Sequence, residues 1–337
     1  NIRDNLFIVN GVINSIIEKD DKPADIELFD IAKCFDSLWL KESLNDLYEA
    51  GLNNDNLNLL YEGNKECYIA INTPRGQTER IGFKEIVMQG SVWGPLSCTT
   101  TMDKIGAKSY KTGSPLYTYK GLVSIPPLGM IDDVISMDRC GKDSTRSNAI
   151  INSFVESKRQ EFGVKKCHKM HIGQKTSVCT DLNINGTPIE NTTSEKYLGD
   201  VISSNGKNDD NLKERKNKAW SIISQILAIL SEVPFGKYEI EAALLMRNSM
   251  FLNGILTNIE VRHGLKEDHI ESLELIDEYL LRKILKTGSK APKESLYLEC
   301  GVAPIRYIVK SRRLNYLHHL LTRKENELIA KTSLTLM

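Results

Sequence analysis

Neither sign of charge prevails in this chain. Lys and Arg number 44, as do Asp and Glu, so the formal net charge of the 337 residues is zero at pH 7. Phosphate-binding domains are usually basic overall, so the balance counts mildly against a nucleic-acid partner and shifts attention to local clusters. Cysteine motifs are missing too. The seven cysteines, Cys34, Cys67, Cys98, Cys140, Cys167, Cys179 and Cys300, are odd in number and lack C-x-x-C spacing. This excludes a zinc ribbon and a disulfide framework, and it predicts reduced thiols in an intracellular protein. Cys167, His168, His171 and Cys179 fit no common zinc spacing either. No apolar run approaches the length of a membrane span, and the first residues lack a signal-peptide pattern, so no membrane partner is expected. Internal repeats and low-complexity tracts are absent. The chain opens on Asn1 inside a helical pattern without an initiating Met, which suggests a piece whose amino-terminal part lies elsewhere.

What is present is enough chain for two cores. Residues 2–18 place Leu6, Val9, Ile13, Ile16 and Ile17 at helical spacing. From Ala24 to Phe29 the alternation puts Ile26, Leu28 and Asp30 on one strand face, with Asp30 at its carboxyl end. Helices follow over Leu38–Ala50 and near Asn56–Asn64, and Pro95 opens another that runs to about Lys111. Leu128–Met137 reads as a hairpin folded at Asp132-Asp133. A helix near 145–162, a strand near 169–173 and an Asn185-Gly186 hairpin complete a first domain over 1–206. From 207 to 337 the pattern is helical, with Ile270, Leu273, Ile276, Leu280 and Ile284 at steps of three and four and a second stripe at Leu314, Leu317 and Leu321. Trp220, Ile222 and Ile223 read as core of that part. Positive charge gathers at Arg282, Lys283, Lys286, Lys290 and Lys293, and again at Arg306, Lys310, Arg312 and Arg313. A neutral total therefore hides a basic stripe.

Two acidic stretches about a hundred residues apart stand out: Leu28-Phe29-Asp30-Ile31-Ala32-Lys33-Cys34-Phe35-Asp36 and Leu128-Gly129-Met130-Ile131-Asp132-Asp133-Val134-Ile135. In each, carboxylates end an apolar stretch of strand character. A fold that joins them gathers at least three negative charges at the end of a sheet, an arrangement suited to holding two divalent metals for attack on a phosphoryl group.

In order and spacing these stretches resemble the motifs of reverse transcriptases. Phe29-Asp30 with Phe35-Asp36 resembles motif A, and Gln89-Gly90-Ser91-Val92-Trp93-Gly94-Pro95-Leu96 resembles motif B. Met130-Ile131-Asp132-Asp133 is similar to motif C, with Met130 and Ile131 in place of the usual aromatic and small residue. Phe162 to Cys167 resembles motif D, and Tyr197-Leu198-Gly199 resembles motif E. The similarity covers essentially the whole chain, and residues 207–323 resemble the thumb of non-LTR (LINE-type) retrotransposon enzymes.

The resemblance implies an α+β fold: a right-hand polymerase palm, an antiparallel sheet flanked by helices, with partial fingers over 1–206 and an all-helical thumb over 207–337. It implies an RNA-directed DNA polymerase that extends a primer with dNTPs. Two Mg²⁺ ions, with Mn²⁺ as a substitute, would bind at Asp30, Ile31, Asp132 and Asp133. Lys166 is the implied general acid, with Lys165 and Lys169 as rivals. Phe35 is the implied sugar gate, and Gln89 and Gly90 would lie against the incoming nucleotide. Pro95, Tyr197, Leu198, Gly199, Arg282, Lys283, Arg306, Arg312 and Arg313 would contact the template–primer. The implied partners are an RNA template and a DNA primer or target, with an endonuclease domain elsewhere in the parent protein. Leu296, Glu299, Gly301, Pro304-Ile305-Arg306, Arg313-Leu314 and Leu317-His318-His319 lean toward the branch in which that nuclease follows the thumb. Work would take place in the nucleus at the integration site, after a cytoplasmic ribonucleoprotein stage. The other readings are a degenerate copy that binds RNA–DNA duplex without catalysis, and a viral or telomerase-like polymerase with the same palm.

Overall fold

The computed structural model describes residues 1–18, 23–83, 87, 91–112, 117–119, 121–139, 142–173, 181–232, 236–324 and 327–336. Contacts divide the chain into two compact units, Lys22–Thr192 and Asn1–Asp21 together with Thr193–Met337. This differs from the break expected near Gly206. The first helix, α1 (Ile2–Glu18), belongs by contacts to the helical unit, although the sequence places it beside the sheet. The reason lies in its polar side chains. Asn10 accepts from the Arg262 guanidinium at 3.0 Å, and Asp4 accepts from the Tyr316 hydroxyl at 3.1 Å.

The sheet unit is built on β1 (Ala24–Ala32). Its neighbours are β2 (Leu128–Met130), β3 (Asp133–Arg139), β4 (Glu161–Phe162), β5 (His168–Ile172) and β6 (Glu190–Asn191). The order is β6-β5-β1-β3-β2, with β4 also pairing β1. All pairings are antiparallel except the edge pair β5–β6. Phe29 and Ile31 of β1 join a core with residues of two helices, α3 (Gly94–Lys111) and α4 (Lys142–Ser157), that includes Met102, Ile105, Ile151 and Phe154. An earlier helix, α2 (Leu40–Glu49), is tied to α3 through Asp46. That buried carboxylate accepts from Thr101 at 2.8 Å and Lys104 at 2.6 Å, and Lys158 lies 3.1 Å away. Burial works to raise its pKa, but the bonds from Lys104, Thr101 and Lys158 outweigh it and hold the carboxyl below its ordinary value.

Three sequence expectations change here. The sulfurs of Cys34 and Cys98, 64 positions apart, are bonded to each other, whereas the spacing predicts thiols throughout; no local rule can foresee so distant a pairing. Lys169, one rival for the general acid, is buried with its ammonium 2.8 Å from Asp25. The hairpin folds at Ile131-Asp132, one residue early, so Asp133 already belongs to β3 and faces Met130.

In the helical unit, α5 (Asp209–Ser231), α6 (Glu267–Ile284) and α7 (Ile305–Leu321) share one core. The expected stripe Ile270, Leu273, Ile276, Leu280 and Ile284 is buried in it. The stripe expected on the last of these helices is not. Leu314 and Leu321 are 66% and 68% exposed, while Ile305, Val309, Tyr316 and Leu320 face inward. That helix carries apolar residues on two sides, and spacing alone does not choose between them. Trp220 is also corrected: it is 45% exposed, while its neighbour Ile223 is buried. A buried Arg247–Asp277 pair, with two bonds of 2.7 and 2.6 Å, locks the middle of the unit. Removing one partner would cost about 3–5 kcal/mol.

Candidate functional site

Register in the sheet brings the two acidic stretches together. Asp30 of β1 stands directly opposite Asp133 of β3, and Asp132 sits in the turn before it. The Ile31 amide donates to the Asp132 carbonyl at 3.1 Å, which fastens the turn to β1. Ile31 itself is 2% exposed, so its side chain serves the core and only its backbone lies near the carboxylates. Ile131 has φ 61°, a left-handed backbone at a β-branched residue. Such a conformation costs on the order of 1–3 kcal/mol and needs surrounding structure to hold it. Ile131 packs against the sheet core, which supplies that support.

Three charges in one place leave an electrostatic mark. Burial, then the charges of Asp132 and Asp30, push the Asp133 carboxyl up to about 6. Lys166 answers part of that charge, with its ammonium 3.2 Å from the Asp30 carboxylate and most of its side chain in solvent. The segment carrying Lys166 also grips the Asp30 backbone. Gly163 donates to the Asp30 carbonyl at 2.8 Å, and the Asp30 amide points at the Cys167 sulfur at 3.5 Å. Burial raises the Cys167 thiol to about 11, so it stays protonated and structural. A Cβ at position 163 would collide with an Asp30 carboxylate oxygen. Glycine there leaves the Asp30 carboxylate its present position, and it is not needed for φ, which is −76°.

Phe35 is half-buried at the rim of the sheet core. Pro95 is the second residue of α3, whose first turn is tied back by a Gly94 amide bond to the Ser91 hydroxyl at 3.1 Å. Gln89 and Gly90 lie outside the described residues.

In the helical unit, Tyr197-Leu198-Gly199 forms the tip of a hairpin between β7 (Ser194–Tyr197) and β8 (Asp200–Ser203). Leu198 and Gly199 have φ 48° and 78°, the left-handed pair of a two-residue turn. Sequence reasoning missed what holds this turn. Asn258 donates to the Leu198 carbonyl at 3.2 Å. Asp200, 1% exposed, lies 3.0 Å from the Arg215 guanidinium and 3.3 Å from that of Arg262. Burial lowers the Arg262 pKa against the pull of Asp200. The available signals were faint: an Asp just after Leu-Gly, and an Asn before Ile259-Glu260-Val261.

The expected basic residues are occupied within their own unit. Arg306 makes a forked pair with Glu274, its closest bond 2.6 Å. Arg282 donates to the Gly288 and Ala291 carbonyls, Arg312 to Leu256, and Arg313 to Arg262. Lys283 is exposed and stands over the Tyr279 ring, 5.4 Å from its centroid. A phosphate contact by any of the four arginines would have to share or replace a bond already made.

Residues 8–202, more than half the chain, match the family model described as reverse transcriptase (RNA-dependent DNA polymerase). The chain belongs to that family. The fold is α+β with a helical carboxyl-terminal part. No curated protein matches the chain. Among solved structures, apo telomerase from Candida Tropicalis is similar at 14% identity and a TM-score of 0.45, over 98% of this chain and 56% of that one. Telomerase from Candida albicans, in a complex with the TWJ fragment of telomeric RNA, is similar at 11% identity and TM-score 0.44, over 89% and 54%. A Candida Tropicalis telomerase truncated from its C-terminal domain is similar at 15% identity and TM-score 0.42, over 59% and 38%. The chain thus spans between 38% and 56% of these structures. Likenesses this remote say nothing of substrate.

Proposed function

We propose that this chain extends a nucleic-acid primer with deoxynucleotides on an RNA template, with a pair of divalent ions held at Asp30, Asp132 and Asp133. The observation that supports it best is the opposition of Asp30 and Asp133 on neighbouring strands, with Asp132 in the adjoining turn and Lys166 against Asp30. The donor set fits Mg²⁺, a hard ion that takes one or two carboxylates and completes its shell with water and substrate phosphate; Mn²⁺ would serve as a substitute. Among the described residues no three or more His, Cys, Asp or Glu side chains form a ready cage, so the protein would supply part of the shell and the triphosphate the rest. When bound, the ions would lower the pKa of the primer hydroxyl and offset charge on the leaving pyrophosphate.

The chain's own residues do the positioning. Gly163 and Cys167 fix the Asp30 backbone, and the strained turn at Ile131 presents Asp132 and Asp133 at the end of β2 and β3. Lys166, its side chain largely exposed beside Asp30, would hold a proton for the departing phosphate. Phe35 is the candidate to exclude a ribose 2′-hydroxyl. In the helical unit, Tyr197-Leu198-Gly199 would seat the primer strand. A wider context follows the motif resemblance: a non-LTR retrotransposon protein whose endonuclease lies elsewhere, acting on a chromosomal target in the nucleus after assembly with its RNA.

Primer extension on an RNA template with Mg²⁺ tests the reading, run beside Asp132→Ala. Extension by the parent and its loss in the variant is the expected result. Equal signal from both, or none from either, would favour a copy that only binds duplex.

A further inference from the structure

Trp220 has no place in the core of the helical unit, and its surroundings suggest why. Its indole is 45% exposed and meets Tyr279 of α6 edge-on, with ring centroids 5.1 Å apart at 69°. Tyr279 is itself 38% exposed, and the Lys283 ammonium stands over its ring. Lys213 and Lys216 lie seven and four residues before Trp220, so they share its face of α5. Asp209, at the start of that helix, also falls on this face. On α6, Leu275 precedes Tyr279 by one turn and is 65% exposed. The result is a strip with two aromatic rings at its centre and ammonium groups on both sides.

We propose that Trp220 and Tyr279 form a stacking platform for unpaired bases of a single-stranded nucleic acid, with Lys213, Lys216 and Lys283 taking its phosphates. Exposed ring faces flanked by cations match a chain of flat bases on a polyanionic backbone. A duplex would not satisfy them, because its bases already stack on one another. The two rings meet near perpendicular, at 69°, and both keep exposed surface that can receive a base. Every base offers such a face, so recognition would be indifferent to sequence. The proposal rests on the polymerase reading, which supplies a single strand wherever template is not yet copied.

The experiment uses the whole chain and two probes of equal length: a single-stranded homopolymeric RNA, and an abasic sugar–phosphate strand. Trp220→Leu is expected to weaken RNA binding about tenfold and to leave abasic binding unchanged, with no change in salt slope. Trp220→Phe restores most of the loss, because it restores a ring. Tyr279→Leu, on the other helix, gives the same discrimination between probes, which covers the case in which the first variant fails to fold. Lys213→Ala or Lys216→Ala lowers binding of both probes and reduces the log–log salt slope by about 0.7 each. The platform is refuted if the leucine variants bind RNA like the parent, or if they lose both probes equally. A parent that extends primers while these variants behave normally sinks the platform alone; a parent that binds no nucleic acid sinks the polymerase reading with it.

Discussion

The collision between a Cβ at residue 163 and the Asp30 carboxylate yields a substitution that separates folding from catalysis. Gly163→Ala is benign for the backbone, since φ −76° suits alanine. The obstacle is an oxygen at the free end of a side chain that is 18% exposed, and it can swing away. Loss of unfolded-state freedom on replacing glycine adds about 0.4–1 kcal/mol of stability, enough to cover the rearrangement. The melting temperature should therefore stay within a few degrees of the parent. Activity should not. To clear the methyl group the carboxylate must withdraw by about an ångström, and misplacement on that scale costs about a hundredfold in rate. That corresponds to about 2.7 kcal/mol of lost transition-state stabilisation. The assay is single-turnover primer extension on an RNA template at saturating dNTP, beside thermal unfolding of the same preparations. A variant that is stable and extends within about threefold of the parent rate would refute the reasoning. Either Asp30 would not be a metal ligand, or Gly163 would not set its position.

Two further outcomes are expected. The Asp133 carboxyl, ordinarily near 3.8 and raised to about 6 here, binds its proton more tightly folded than unfolded; the stability this brings is full below 3.8 and lost as pH rises through 6. Without divalent ions, Asp133→Asn should therefore melt above the parent at pH 7 and together with it near pH 4, and equal melting at pH 7 would contradict the crowding of charge at this site. Asn258→Gly keeps the left-handed backbone at φ 57° and removes only the amide that holds the Leu198 carbonyl; extension should slow about tenfold at saturating template–primer with duplex affinity nearly unchanged, and a parent-like rate would mean the turn needs no brace.

Much of the palm was legible because its motifs coincide with strand periodicity. Asp30 shares a strand face with Ile26 and Leu28 as the spacing expects, although the strand runs on to Ala32, and pairing in the sheet then sets it opposite Asp133. The turn was misplaced by one residue because Ile131 adopts a left-handed conformation that its side chain disfavours, and only tertiary packing pays for it. Lys169 was misjudged for a related reason. A lysine in a basic stretch reads as solvated, yet β5 turns it inward to Asp25, and no local pattern announces the partner on β1.

The helical unit was harder to read because charge says where a residue can act only after its partners are counted. Arg306 belongs to a basic cluster in sequence, yet Glu274, 32 positions earlier, takes its guanidinium in a forked pair. Arg312 and Arg313 cap backbone carbonyls instead of facing outward unengaged. Each long side chain reaches a neighbour that lies far away in sequence, and a count of positive residues cannot see it. Trp220 inverts the lesson. Its size and apolar neighbours assign it to the core, yet Ile223 and Ile226 of α5 face the core and Trp220 stays at the surface beside Tyr279. A ledger of engaged arginines and an exposed indole therefore moves the expected nucleic-acid contacts of this unit away from the basic cluster near α7. On the proposed platform those contacts would lie on the strip shared by α5 and α6, where lysines flank aromatic faces.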